Sequence, residues 1–312
     1  MSKKTMMMLG FVLILLLIVL YFHFQQPVVK NMNVFDVDSL QVYHIEISSV
    51  IDTVLIEKIN EKWILSESNG FPANPQKVSD IFHQVLKAKR SKKILSDDFK
   101  KQDDYQVSPE TGIRIRLLDK NQQLVSDFYL GLSSFYTYSS LRFADSDLIY
   151  ELDRNLSEYI FPSVQMWKDP VIIPIKSDSI KRISVNAGNN VYRLENREKS
   201  WYYKSETDSF NVFTSNRSLF KILNILQNLQ SVTTFENTAE NRNKFTNRQI
   251  LKLDIELKSG QNYVLKTWVY DDENCLIETS ANPSYFYLMH YDFANRFTKA
   301  KENFLDYSEQ TY

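Results

Sequence analysis

One order of structural signals occurs twice in this chain, and a fold built on it must contain the same unit twice. The first pass opens with alternating residues at Val42–Ile47, continues through Thr53–Lys58, and turns at Asn60-Glu61 into a strand carrying Trp63. The second opens at Ile180–Val185, turns at Ala187-Gly188-Asn189, and ends its short meander on Trp201, 138 positions later. An amphipathic helix follows each meander. Asn74-Pro75 supplies a cap and a first-turn proline before Val78, Ile81, Phe82, Val85 and Leu86. Ser215 or Asn216 caps the second, before Leu219, Phe220, Ile222, Leu223, Leu226 and Leu229. Each stripe lasts only a few turns, so core packing is its ordinary use.

Paired strands come next. Thr111 to Leu118 returns as Leu124 to Leu130, and its counterpart is Leu251 to Leu257 returning as Tyr263 to Tyr270. Aligned on Ile113 and Leu253, these segments are 140 apart; Tyr150 and Tyr287 in the last strands are 137 apart. Apolar residues alternate with Arg, Asp and Glu, which predicts antiparallel sheets with one buried and one wet face. The expected fold is α+β: an N-terminal transmembrane helix, then two homologous repeats of antiparallel sheet plus amphipathic helix. The expected divisions are 1–30, 31–170 and 171–312. The boundary is marked by Asp169-Pro170-Val171-Ile172-Ile173-Pro174, whose prolines end a helix expected around Glu158 to Trp167.

The transmembrane expectation comes from Thr5–Phe22. No Lys, Arg, Asp or Glu occurs between Lys4 and Lys30, and such a helix would span roughly 27 Å. Its exit, Tyr21-Phe22-His23-Phe24, lacks the small residues a cleavage site needs. The expectation is therefore an uncleaved, single-pass signal anchor in a bacterial inner membrane. Lys3 and Lys4 would hold the N-terminus in the cytoplasm and leave the bulk of the chain periplasmic.

Composition narrows the function classes. A net charge of −1 argues against a nucleic-acid partner. Six glycines among 312 residues leave little material for a phosphate loop, and no Gly-x-Ser-x-Gly elbow occurs. His23, His44, His83 and His290 form no metal-binding spacing with one another or with the single Cys275. Asp97-Asp98, Asp103-Asp104, Asp145-Ser146-Asp147 and Asp271-Asp272-Glu273 read as solvated turns. No catalytic, cofactor-binding or metal-binding residue is expected. The sharpest charge cluster is Lys87, Lys89, Arg90, Lys92 and Lys93, read as the cationic end of the first helix and as a possible contact for a partner or for lipid headgroups.

Several landmarks then resemble a known family. Lys58 with Trp63 fits a Lys-x-x-x-Trp-like motif, and Ala73-Asn74 fits a helix-opening signal. Tyr105-Gln106-Val107-Ser108-Pro109 fits a Tyr-Gly-Leu-x-x-Pro-like turn with Gln106 in place of glycine. Leu130-Gly131 matches a hairpin exit. In the second repeat Phe245 stands for Tyr105 and Gln249 replaces Pro109. The chain resembles domain-of-unknown-function family 4340, which implies a membrane-anchored exported protein accompanying ABC transporters of the gliding-motility type. The resemblance carries no catalytic residues. The expected function is a non-enzymatic extracytoplasmic accessory or binding module, with an ABC permease or exported protein as partner. A cell-envelope hydrolase using dispersed carboxylates and a scaffold of another membrane complex are the alternatives.

Overall fold

The structure, a computed structural model, describes residues 32–132, 137–197, 200–246, 248–298 and 301–305, without the side chains of 92 and 93. The chain divides after Lys168 into two compact units. The first contains β1 (Met32–Asn33), β2 (His44–Ser48), β3 (Thr53–Ile59), β4 (Lys62–Leu65), β5 (Phe71–Pro72), β6 (Lys89–Ser96), β7 (Ile113–Leu118), β8 (Leu124–Gly131), β9 (Ser140–Phe143) and β10 (Ile149–Leu152). The second contains β11 (Ile180–Ala187), β12 (Asn190–Arg197), β13 (Ser200–Ser205), β14 (Ser209–Val212), β15 (Thr233–Glu236), β16 (Gln249–Leu257), β17 (Asn262–Val269), β18 (Asn274–Thr279) and β19 (Tyr285–His290).

Each unit is built on one antiparallel sheet, and the two strand orders coincide. The first runs β1-β6-β10-β9-β8-β7-β2-β3-β4-β5; the second runs β15-β19-β18-β17-β16-β11-β12-β13-β14. A single antiparallel bridge, Val171 to Gln230, stands where β1 pairs with β6. Register extends the match to residues. Ile45 faces Ile56 and Leu117, as Ile183 faces Leu194 and Ile255. Trp63 pairs with Lys58, as Trp201 pairs with Asn196. Ile47 faces Ile115 where Val185 faces Leu253. Leu253 therefore corresponds to Ile115, which corrects the alignment on Ile113.

Alternation decides which face is buried. In the first unit Ile45, Ile47, Val54, Ile56, Ile115, Leu117, Phe128 and Leu130 are buried on one side of the sheet. Helix α1 (Pro75–Asp80) and the π turn Ile81–Val85 bring Val78, Ile81 and Val85 into that core. Asn74 caps α1 by accepting from the Gln76 and Lys77 amides. Trp63 meets Phe82 at a ring separation of 5.9 Å. The expected helix from Glu158 to Trp167 is only α2 (Val164–Trp167). Pro162 removes an amide and disfavours the helical conformation before it.

In the second unit α3 (Arg217–Gln227) buries Leu219, Ile222 and Leu226 under an Asn216 cap. Tyr192 and Tyr203 stack in the same interior with Phe304 tilted against both, and the Tyr192 hydroxyl donates to the Phe297 carbonyl. Among the described residues the remaining α-helices of this unit are α4 (Ala239–Phe245) and α5 (Asp292–Phe297).

The expected transmembrane segment, Thr5–Phe22, lies outside the described residues. Among the described residues no helix is long and apolar enough to cross a membrane. The longest α-helix there, α3, has 11 residues, about 16 Å against a hydrocarbon core of about 30 Å. The expected fold is corrected accordingly: it is mostly antiparallel sheet, and a transmembrane helix, signal anchor or single-pass membrane placement has no support in it.

Candidate functional site on the outer sheet face

The family-like turn and the glycine exit, 26 positions apart in sequence, meet on the outer face of the first sheet. Register places β8 beside β9, with Gly131 opposite Ser140. A Cβ on Gly131 would lie 2.1 Å from the Tyr105 carbonyl oxygen. Only a residue without a side chain lets the 105–107 backbone lie on the sheet there. Gly112 is similarly confined: a Cβ there would lie 2.8 Å from the Ser108 oxygen and 2.9 Å from the Gln106 oxygen. Gln106 itself has φ 56°, the left-handed region. The glycine of the family pattern at this position thus has a conformational cause, and Gln106 occupies it under strain.

A buried cation holds the turn. Arg142 is 5% exposed; its Nε donates to the Val107 oxygen at 2.9 Å. Its Nη1 donates to the Phe143 and Ser146 oxygens, each at 3.1 Å. The guanidinium lies 4.5 Å from the Tyr129 ring centre, which helps offset its desolvation. Gln102, also buried, donates to Asp147 Oδ1 at 2.9 Å. The Ser108 hydroxyl donates to Asp103 and accepts from the Glu110 and Thr111 amides. Val107, Tyr129 and Ile149 form a small apolar cluster beneath, flanked by Leu95, Tyr105 and Ala144. Pro109 is exposed at the tip of the turn.

The second unit covers the same face by other means. Phe245 on α4, with Leu276 and Phe286, builds the outer cluster there, flanked by Phe235, Trp268 and Leu288. By register Trp268 stands where Gly131 stands, and Glu278 where Arg142 stands. Glu278 accepts from Arg242 on α4 at 2.8 Å. A carboxylate holding a helix arginine replaces an arginine holding loop carbonyls.

Elsewhere the outer faces carry ion pairs. Arg114 holds Asp127 through two bonds, at 2.9 and 2.7 Å, and Arg116 reaches Glu46 at 2.9 Å. An open groove of about 340 Å³ is lined by His44, Glu46, Glu57, Arg116 and Gln122. A groove of about 370 Å³ over β11, β12, β13 and β16 takes Ser184, Arg193, Lys204 and Asp254. The basic cluster is not a helix end. Lys89 to Ser96 form β6, with Lys87 in the preceding turn. The Lys89 amide donates to Asp153 at 3.0 Å, and the Arg90 guanidinium lies 4.4 Å from the Tyr150 ring centre. Lys92 and Lys93 follow on the same strand.

The acidic pairs act in turns. Asp98 caps a short 3₁₀ turn. Asp271 accepts from the Asn274 side chain, and that bond together with the Glu273 and Asn274 amides holds its carboxyl below the usual range. Cys275 is buried, and desolvation pushes its thiol up to about 12. Among the described residues no group of three or more His, Cys, Asp or Glu could hold a metal ion. His23 lies outside them.

The model of the family described as Domain of unknown function (DUF4340) matches residues 63–254. The chain belongs to this family. The DUF4340 match opens at Trp63, contains the whole outer-face turn with Gly131 and Arg142, and reaches β16 of the second unit. No curated protein and no solved structure matches the chain. Sequence reasoning located Trp63, Tyr105, Pro109, Trp201 and Phe245 as landmarks. Arg142 and Gln102 carry no sequence signal beyond polarity in segments that also bear buried residues, whereas Ser108 lies inside the family-like turn.

Proposed function

We propose that this chain is a non-enzymatic, extracytoplasmic binding and assembly module serving an ABC transport or gliding-type system. The observation that carries the reading is Arg142, the buried cation of the family turn. Its Nε and Nη1 donate to three main-chain carbonyls and its guanidinium lies over the Tyr129 ring. A cation so engaged fixes the shape of a surface and is not itself free to act on a reacting group. The extracytoplasmic placement and the transport association rest on the family resemblance.

The test is covalent crosslinking in the native cell envelope, with the intact chain as bait and mass spectrometry as readout. Recovery of an ATP-driven permease or its exported partner is the expected result. Turnover of an envelope polymer by the purified chain, abolished by substituting one Asp or Glu, would overturn the reading in favour of a hydrolase.

A further inference from the structure

The two units close their corresponding sheet edges differently. In the first, the edge is β5, only Phe71–Pro72. The Ala73 amide donates to the Trp63 oxygen, so Pro72 faces away from β4, where its missing amide blocks further pairing. The chain then covers the exit of this edge itself: Ala73 bridges Lys168, and the Asn74 amide donates to the Trp167 oxygen.

The second unit's edge is β14, Ser209–Val212, paired to β13 with Phe210 opposite Tyr203 and Val212 opposite Trp201. Leu65 faces Phe71 and Ile64 faces Pro72 in the first unit, so Asn211 stands where Pro72 stands. The Ser205 amide donates to the Asp208 oxygen in the same ladder. By antiparallel alternation Phe210 and Val212 bond to β13, and Ser209 and Asn211 turn their main-chain groups outward. Among the described residues no strand pairs with that side. From Ser209 to Phe213 there is no Lys, Arg, Asp, Glu or Pro, the residues that normally blunt an edge. Phe213 and Phe220 are exposed beyond it, at 53% and 64%.

We infer that β14 is a docking edge that receives an extended, uncharged segment of a partner protein as an added strand. Two observations select that occupant. The sister edge already carries main chain at Ala73, which shows what this side of the sheet accepts. From Ser209 to Phe213 the edge offers main-chain donors and acceptors with phenylalanines beside them and no charged side chain of its own, and the adjoining Asp208 is already paired with Lys301. The inference rests on the binding-module reading and names its surface.

The probe is an acetylated, amidated peptide, Thr-Val-Thr-Tyr-Thr-Val, added to the full chain with amide hydrogen exchange as readout. The Ser209 and Asn211 amides should slow about threefold or more. Asn211→Pro, which copies the first unit, should abolish that protection, whereas Asn211→Ala should retain it. A peptide N-methylated at alternate residues should give none. Absence of protection in the native chain, or equal protection in Asn211→Pro, overturns the inference. So does a concentration-dependent dimer in sedimentation that Asn211→Pro abolishes, because the occupant is then a second copy. In envelope crosslinking, equal partner recovery by the native chain and Asn211→Pro would defeat the edge and leave the binding-module reading standing.

Discussion

At one equivalent position on the outer sheet face, the first unit has Gly131 and the second has Trp268. Around the glycine a loop lies flat on the strands, its Tyr105 carbonyl occupying the space a side chain would need. Around the tryptophan a helix stands off, and the gap is filled by Trp268 and Phe245. The holding charge changes sign with it, from Arg142 on loop carbonyls to Glu278 on Arg242. The topology is conserved between the units while its covering is not: a strand order fixes which positions face outward and leaves open what covers them.

Alanine at that one position should harm both units, for opposite reasons. Gly131→Ala forces a Cβ into a backbone oxygen and should cost about 3 kcal/mol. Trp268→Ala removes a half-buried ring and should cost about 2 kcal/mol. Urea unfolding of each variant checks both, and a neutral Gly131→Ala would remove the steric basis of the comparison.

Removing the holding charge should be less symmetric. Arg142→Met strands buried carbonyls and should cost about 2–3 kcal/mol. Glu278→Met releases a half-exposed arginine to water and should cost about 1 kcal/mol. Equal losses would mean that the loop clamp and the helix clamp are energetically alike. Gln106→Gly relieves a left-handed non-glycine residue and should stabilise the first unit by about 1 kcal/mol.

Cys275, the only cysteine, reports on the second unit alone. Burial raises its folded pKa to about 12 from an ordinary 9.0. The folded chain therefore keeps a proton that the unfolded chain releases between those values. Stability from this group is full below pH 9.0 and falls as pH rises towards about 12. At neutral pH the native thiol should resist an aromatic disulfide reagent and react only on unfolding. Rapid labelling of the native chain would show that β18 is not buried as described.

Much of this fold was legible in the residues, because the sheet period and the helix caps are local. Trp63 and Trp201, Asn74 and Asn216, and the alternation of β7 and β16 all declare themselves within a few positions. The contact between Tyr105 and Gly131 could not be read, since it depends on the order of β7, β8 and β9 and on the loop crossing them. Lys89 to Lys93 misled because a cationic run carries no apolar alternation to mark it as strand. Pro162 was the overlooked sign that Glu158 to Trp167 could not be one helix. The anchor expectation lay on Thr5–Phe22, outside the described residues.

The central claim is that the family turn and the glycine exit form one clamp, with Arg142 as its pin. A double-mutant cycle between Gly131→Ala and Arg142→Met, read by urea unfolding, tests it most directly. If the alanine lifts the 105–107 backbone, the Arg142 bond to Val107 is already lost in that variant. The double variant should then be less destabilised than the sum by about 1–2 kcal/mol. Additivity within about 0.5 kcal/mol would show two independent sites and contradict the clamp.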